Sequence, residues 1–153
     1  MTVFITMLLG LSCASSQNRV SLSLPGKTFL VSKPFTVTVK NETSKSVAFC
    51  SDFGAKTAEG IATSPDFELI RKRGQQWISQ VGDDVGHILA PDSLAASESK
   101  SYKVQLSHPG TYRFILHYRV GESADLNCAK QSLLKARARS IVFTVSTVAG
   151  GAR

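Results

Sequence analysis

Three cysteines and three histidines hold most of the chemistry this 153-residue sequence could do: Cys13, Cys50, Cys128, His87, His108 and His117. A thiol beside an imidazole makes a nucleophile, and imidazoles grouped with thiols or carboxylates hold metal. The spacing offers neither. No His pairs closely with a Cys or a carboxylate at metal-ligand separation, and nothing places a base beside Cys50. Asp83-Asp84-x-Gly86-His87 supplies two adjacent Asp that point different ways and too few oxygens for a calcium loop, so a solvated turn is expected. There is no G-x-S-x-G, no H-E-x-x-H, no P-loop and no glycine-rich dinucleotide fingerprint. The expectation is a chain without catalytic residues, cofactor or metal.

The cysteines depend on the compartment. Val3 to Leu11 is an uncharged apolar run, and the small residues Ser12, Cys13, Ala14, Ser15 and Ser16 follow it. This matches the apolar and cleavage regions of a secretory signal peptide, although the usual Lys or Arg at the start is missing. Cleavage after Ala14 leaves 153 − 14 = 139 residues. Lipid attached to Cys13, as in a bacterial lipoprotein, is the second option, and an ordinary buried first strand is the third. The first two place the mature chain outside the cytoplasm, with membrane attachment only through lipid on Cys13. Export leaves two thiols, Cys50 and Cys128, in an oxidising compartment, where an even pair suggests a disulfide. Two separate buried thiols are the competing reading.

Charge is the other notable property. Lys and Arg number 18 against 11 Asp and Glu, a balance of +7. Arg71, Lys72 and Arg73 flank a turn, and Lys130, Lys135, Arg137 and Arg139 cluster late. His117 shares the wetter face of one strand with Arg113 and Arg119. Such patches attract acidic glycans, anionic lipid or nucleic acid. No aromatic residue is interleaved as a base-stacking platform, and an exported location argues against nucleic acid. Arg71, Lys72, Arg73, Lys135, Arg137 and Arg139 are therefore the candidate anion-binding residues, with solubility as the plainer explanation. Asn41-Glu42-Thr43 has the form of a glycosylation sequon and reads more simply as a polar turn.

The elements that must position these residues are extended. Val20, Leu22 and Leu24 alternate with Ser21 and Ser23; Phe35, Val37 and Val39 alternate with Thr36, Thr38 and Lys40. Tyr102 to Leu106, Thr111 to Val120 and Ile141 to Ser146 continue the period of two. One apolar and one wetter face is the mark of antiparallel strands in a two-layer protein. Val47 to Cys50, Phe67 to Lys72 and Gln76 to Val81 add shorter strands, the last two joined by a hairpin at Gly74. Residues 51–66 and 82–98 read as loops. Residues 122–138 read as a short helix or ordered loop, because Leu126, Leu133 and Leu134 have helical spacing. The spacing predicts a β-sandwich or barrel of about seven or eight strands.

Several phrases carry a resemblance. KPFTVTVKNETSKSVAF resembles the second and third strands of immunoglobulin-like modules in secreted bacterial proteins. FELIRKRGQQW looks like their central hairpin, HPGTYRFILHYRV their penultimate strand and RSIVFTVS their closing strand. The resemblance covers most of 19–147, with a leader at 1–14 and a flexible tail at 148–153. It implies an all-β, immunoglobulin-like antiparallel sandwich, and in it Tyr112 takes the place of the tyrosine-corner residue, whose hydroxyl bonds upstream backbone. Phe114 stands where that motif has Cys. The same architecture puts Cys50 at the end of the third strand and Cys128 between the last two strands. Only residues 121–138 folding down over the sheet would let the sulfurs meet.

The expected function is non-catalytic: an exported binding or structural module of the cell envelope or extracellular space, with a protein or envelope glycan as partner. Recognition would fall to the 51–66 loop, the 82–98 loop or the 121–138 segment. A protease inhibitor on the same scaffold and a polyanion-binding basic module are the alternatives.

Overall fold

The computed structural model describes residues 19–57, 60–80, 89–121, 126–128, 134 and 136–147, and for 52–64 the backbone alone. Cys13, Lys135, the Asp83–His87 run, the 1–14 leader and the 148–153 tail lie outside the described residues.

Among the described residues twelve strands follow one another, more than the seven or eight expected: β1 (Val20–Ser23), β2 (Thr28–Leu30), β3 (Phe35–Asn41), β4 (Val47–Thr57), β5 (Gly60–Pro65), β6 (Phe67–Arg73), β7 (Gln76–Gln80), β8 (Leu89–Leu94), β9 (Ser99–Val104), β10 (Gly110–Val120), β11 (Ala136–Arg139) and β12 (Phe143–Ser146). They form two sheets. The smaller has the order β1-β3-β9, and the larger gathers the other nine around β10. All pairings are antiparallel except β2 with β12. The chain is an all-β sandwich.

Period-two alternation builds this core. On β3, Phe35, Val37, Val39 and Asn41 point inward and the residues between them point out. On β10, Tyr112, Phe114, Leu116 and Tyr118 are buried against them. Phe35 stacks on Phe29 with ring centroids 4.1 Å apart, and Phe114 on Phe143 at 5.1 Å, so aromatic rings from both sheets meet. Burying a side chain of this size contributes roughly 2 to 3 kcal/mol.

β10 is the spine because two strands share each of its sides. On one side β12 pairs with 110–112 and β11 with 115–118. On the other, β6 pairs with 112–116 and β4 with 118–120. Ser140 joins β11 to β12. Its N–H donates to the Phe114 carbonyl at 3.0 Å, and its hydroxyl accepts the Phe114 N–H at 3.0 Å.

Four expectations are corrected. Residues 51–66 are not a loop: β4 runs on to Thr57 and β5 returns along it, a pairing that backbone groups make without apolar alternation. β8 occupies part of 82–98. Its Pro91 argues against a strand, but among the described strands β8 pairs only with β4 and lies at an edge, where a missing N–H is tolerated. The short helix or ordered loop expected at 122–138 stops before its end: residues 126–128 and 134 lie outside strands. Ala136-Arg137-Ala138-Arg139 alternates inward and outward and is strand β11. The closing strand starts at Phe143 rather than Ile141, because Ser140 turns the chain inward and leaves Ile141 and Val142 44% and 37% exposed.

Candidate functional site

The first candidate cluster comes apart in the structure. Successive residues of a strand face opposite ways, so Arg71 and Arg73 cannot share a face with Lys72. Arg71 is engaged: its guanidinium lies 5.7 Å from the Tyr112 ring centroid, and Nη2 donates to the Pro109 carbonyl at 2.7 Å. Tyr112 is buried, and its hydroxyl donates to the His108 carbonyl, four residues upstream, at 3.0 Å. Gly110 permits this crowding. A Cβ there would lie 2.7 Å from Arg71 Nε and 3.1 Å from the Tyr112 ring. Arg71 therefore braces the entry to β10. Lys72 and Arg73 are exposed at the β6–β7 hairpin, which turns at Gly74 with φ of 60°.

The late cluster is arranged differently. Arg137 and Arg139 are both exposed, two residues apart on β11 opposite His117 and Ile115 of β10, and no described residue forms an ion pair or hydrogen bond with either guanidinium. The buried Ala138 between them packs in the core. Across from β11 runs β1, the edge of the smaller sheet. Together they border a groove of about 460 Å³ lined by Arg19, Val20, Ser21, Leu22, Arg137, Ala138 and Arg139. Its floor is apolar and its rim carries three guanidiniums. Arg19 already grips a carboxylate, with Nε 3.3 Å from Glu42 Oε2, while its side chain remains 60% exposed. The Val20 N–H reaches the Tyr118 hydroxyl at 3.4 Å and ties the two sheets at this seam. The sequence reading missed Arg19. Its position directly before the first alternating strand was the available signal.

The outer face of the larger sheet carries a second polar group. His117 Nε2 lies 2.8 Å from Glu68 Oε2, with the His side chain 10% exposed and its Nδ1 without a hydrogen-bond partner among the described residues. Arg113 is not free beside it, since its guanidinium stacks 5.1 Å from the Trp77 ring centroid. Arg119 also has a partner. His117, Arg113 and Arg119 are thus each engaged by a partner of their own. Glu68 was not singled out in the sequence; its alternation with Phe67 and Leu69 was the only hint.

Cys50 and Cys128 form a disulfide, with Cα atoms 5.6 Å apart. β4 is buried on both sides: Val47 and Phe49 enter the main core, while Ala48 and Cys50 face outward. Leu126, Cys128, Leu89 and Leu134 cover that outer side and make a second, smaller core. Cys50 therefore presents no free thiol to a base. Among the described residues, no three His, Cys, Asp or Glu side chains gather at metal-binding distance, and no helix is long and apolar enough to cross a membrane.

Asn41 is fully buried. Its amide nitrogen donates to the carbonyls of Lys45 at 2.8 Å, Ala95 at 2.8 Å and Leu94 at 3.2 Å, and its oxygen accepts the Thr43 N–H at 2.9 Å. The sequon-like triplet is a structural turn.

No family model and no curated protein matches the chain. Among solved structures, it is similar to the ASH / PapD-like domain of human CEP192 (PapD-like domain 7), at 10% identity and a TM-score of 0.28. The alignment covers 95% of this chain and 94% of that one. A likeness at that score carries no weight for the fold or the function of this chain.

Proposed function

We propose that this chain is a non-catalytic, exported, immunoglobulin-like binding module that holds polyanionic partners at the rim formed by Arg19, Arg137 and Arg139. One observation carries the reading: two adjacent outward positions of an edge strand are arginines that no described carboxylate neutralises, facing a third arginine across a groove. Two guanidiniums left in solvent at one seam attract anions by summed field, and the chain's balance of +7 adds to it. The Cys50–Cys128 disulfide and the apolar leader support an oxidising, exported location. The Tyr112 hydroxyl bond to backbone four residues upstream supports the immunoglobulin-like reading of the sandwich. Rigidity belongs to the mechanism, because pairing with β10 fixes the backbone of β11, and so the spacing of its two arginine Cα atoms, before a ligand arrives.

Fluorescein-labelled heparin is the probe. At about 50 mM NaCl it should bind the intact chain and leave as salt rises, since binding releases counterions. Arg137→Glu/Arg139→Glu should weaken binding about a hundredfold with the thermal midpoint kept. No binding at low salt, or equal binding by the variant, overturns the reading. Intact mass of the exported chain tests the location: loss of residues 1–14, or lipid on Cys13, supports export, and an unprocessed chain opposes it.

A further inference from the structure

Arg137 and Arg139 stand at positions i and i+2 of a strand, so their Cα atoms recur at about 6.6 Å along β11. An extended peptide has the same repeat: side chains two residues apart point the same way at the same spacing. A polymer with a different charge spacing would satisfy one guanidinium and miss the next. β11 pairs with β10 along one side, and β1 of the smaller sheet lies beside its other side without pairing to it, so a ligand reaches the two arginines through their side chains. The groove's rim already carries one guanidinium–carboxylate pair within the chain. Arg19, on its rim, already holds the carboxylate of Glu42. Guanidinium and carboxylate are planar and pair through two parallel hydrogen bonds.

Resting on the polyanion reading above, we infer that the ligand of this groove is an extended acidic peptide segment with carboxylates at alternate positions. Two carboxylates pair with Arg137 and Arg139. The intervening side chains lie toward the shallow apolar floor of Val20, Leu22 and Ala138, all three nearly closed to solvent. That floor admits small or β-branched residues better than long charged ones. The pattern is therefore acid, small, acid, with the peptide running along β11.

The experiment compares three labelled probes on the full chain: a peptide alternating Glu and Thr, a peptide of identical composition with Glu and Thr in separate blocks, and heparin. The alternating peptide should bind about tenfold tighter than the block peptide. Arg137→Gln/Arg139→Gln should remove that preference, whereas Lys72→Gln/Arg73→Gln, at the far hairpin, should keep it. Equal binding of both peptides beside strong heparin binding overturns the peptide assignment and leaves the polyanion reading standing. Binding of none of the three overturns both. A preference that survives the arginine double variant places the ligand elsewhere and overturns the site.

Discussion

Asn41 and Tyr102 are both buried polar side chains, yet the structure treats them in opposite ways. Asn41 joins three carbonyls and one N–H from two turns, so its removal strands groups that water cannot reach. Asn41→Ala should lower stability by roughly 3 kcal/mol in urea unfolding, and Asn41→Asp by at least as much, because a carboxylate oxygen would face carbonyl oxygens. Tyr102 is buried with a phenol oxygen that meets no hydrogen-bond partner among the described residues. Its pKa is pushed up, chiefly by burial and further by the Asp92 and Glu98 carboxylates. The unfolded chain releases this proton near pH 10, and the folded chain only at higher pH. Above about pH 10 the folded state therefore binds more protons, and stability falls as pH rises. Tyr102→Phe should be neutral or stabilising by up to about 1 kcal/mol at pH 7. It should also lessen the alkaline loss, read as unfolding midpoints from pH 8 to about 11.

The disulfide acts as a clip between elements. It closes a loop with a sequence separation of 78 and fastens Leu126 and Leu134 over the outer side of β4. The chain-entropy model gives such a link about 4 kcal/mol. Cys50→Ala/Cys128→Ala, or full reduction, should lower unfolding stability by that order, and an unchanged urea midpoint would refute the clip. β11 shows how a short element escapes a sequence reading. The alternation of ARAR is visible, but Leu126, Leu133 and Leu134 offer a competing helical period in the same stretch. Local spacing cannot choose between them. Pairing with residues 115–118 of β10 does, because it satisfies the backbone groups of both strands. Pro91 makes the same point in β8, where the edge position decides whether a strand can hold a proline.

The molecule as a whole is assembled from distant partners. β3 lies between β1 and β9, and its register runs from Phe35 opposite Val104 to Lys40 opposite Ser99. Loops this long must close before the core rewards them, so topology slows folding. Refolding with the disulfide intact should take milliseconds to seconds by Trp77 fluorescence, and prior reduction should slow it, since the bridge has already closed one loop. Microsecond refolding in both states would contradict a nucleus made from non-local strands. The positive balance also belongs to this scale: it draws in any polyanion, while the groove residues determine which one stays.

The sequence by itself determined the two-layer all-β architecture, because alternation on β3, β10 and β12 states which side chains must meet. It also made Tyr112 a candidate for bonding to upstream backbone, and gave the number of cysteines available for pairing. Only the tertiary structure decided which basic residues act together. Arg71 is neighbour to Lys72 in sequence yet braces Tyr112, whereas Arg19 lies more than a hundred positions from Arg137 and borders the same groove. The physical reason is that strand period fixes the face on which a side chain lies, but sheet order, set by long-range pairing and burial, fixes its neighbours on that face.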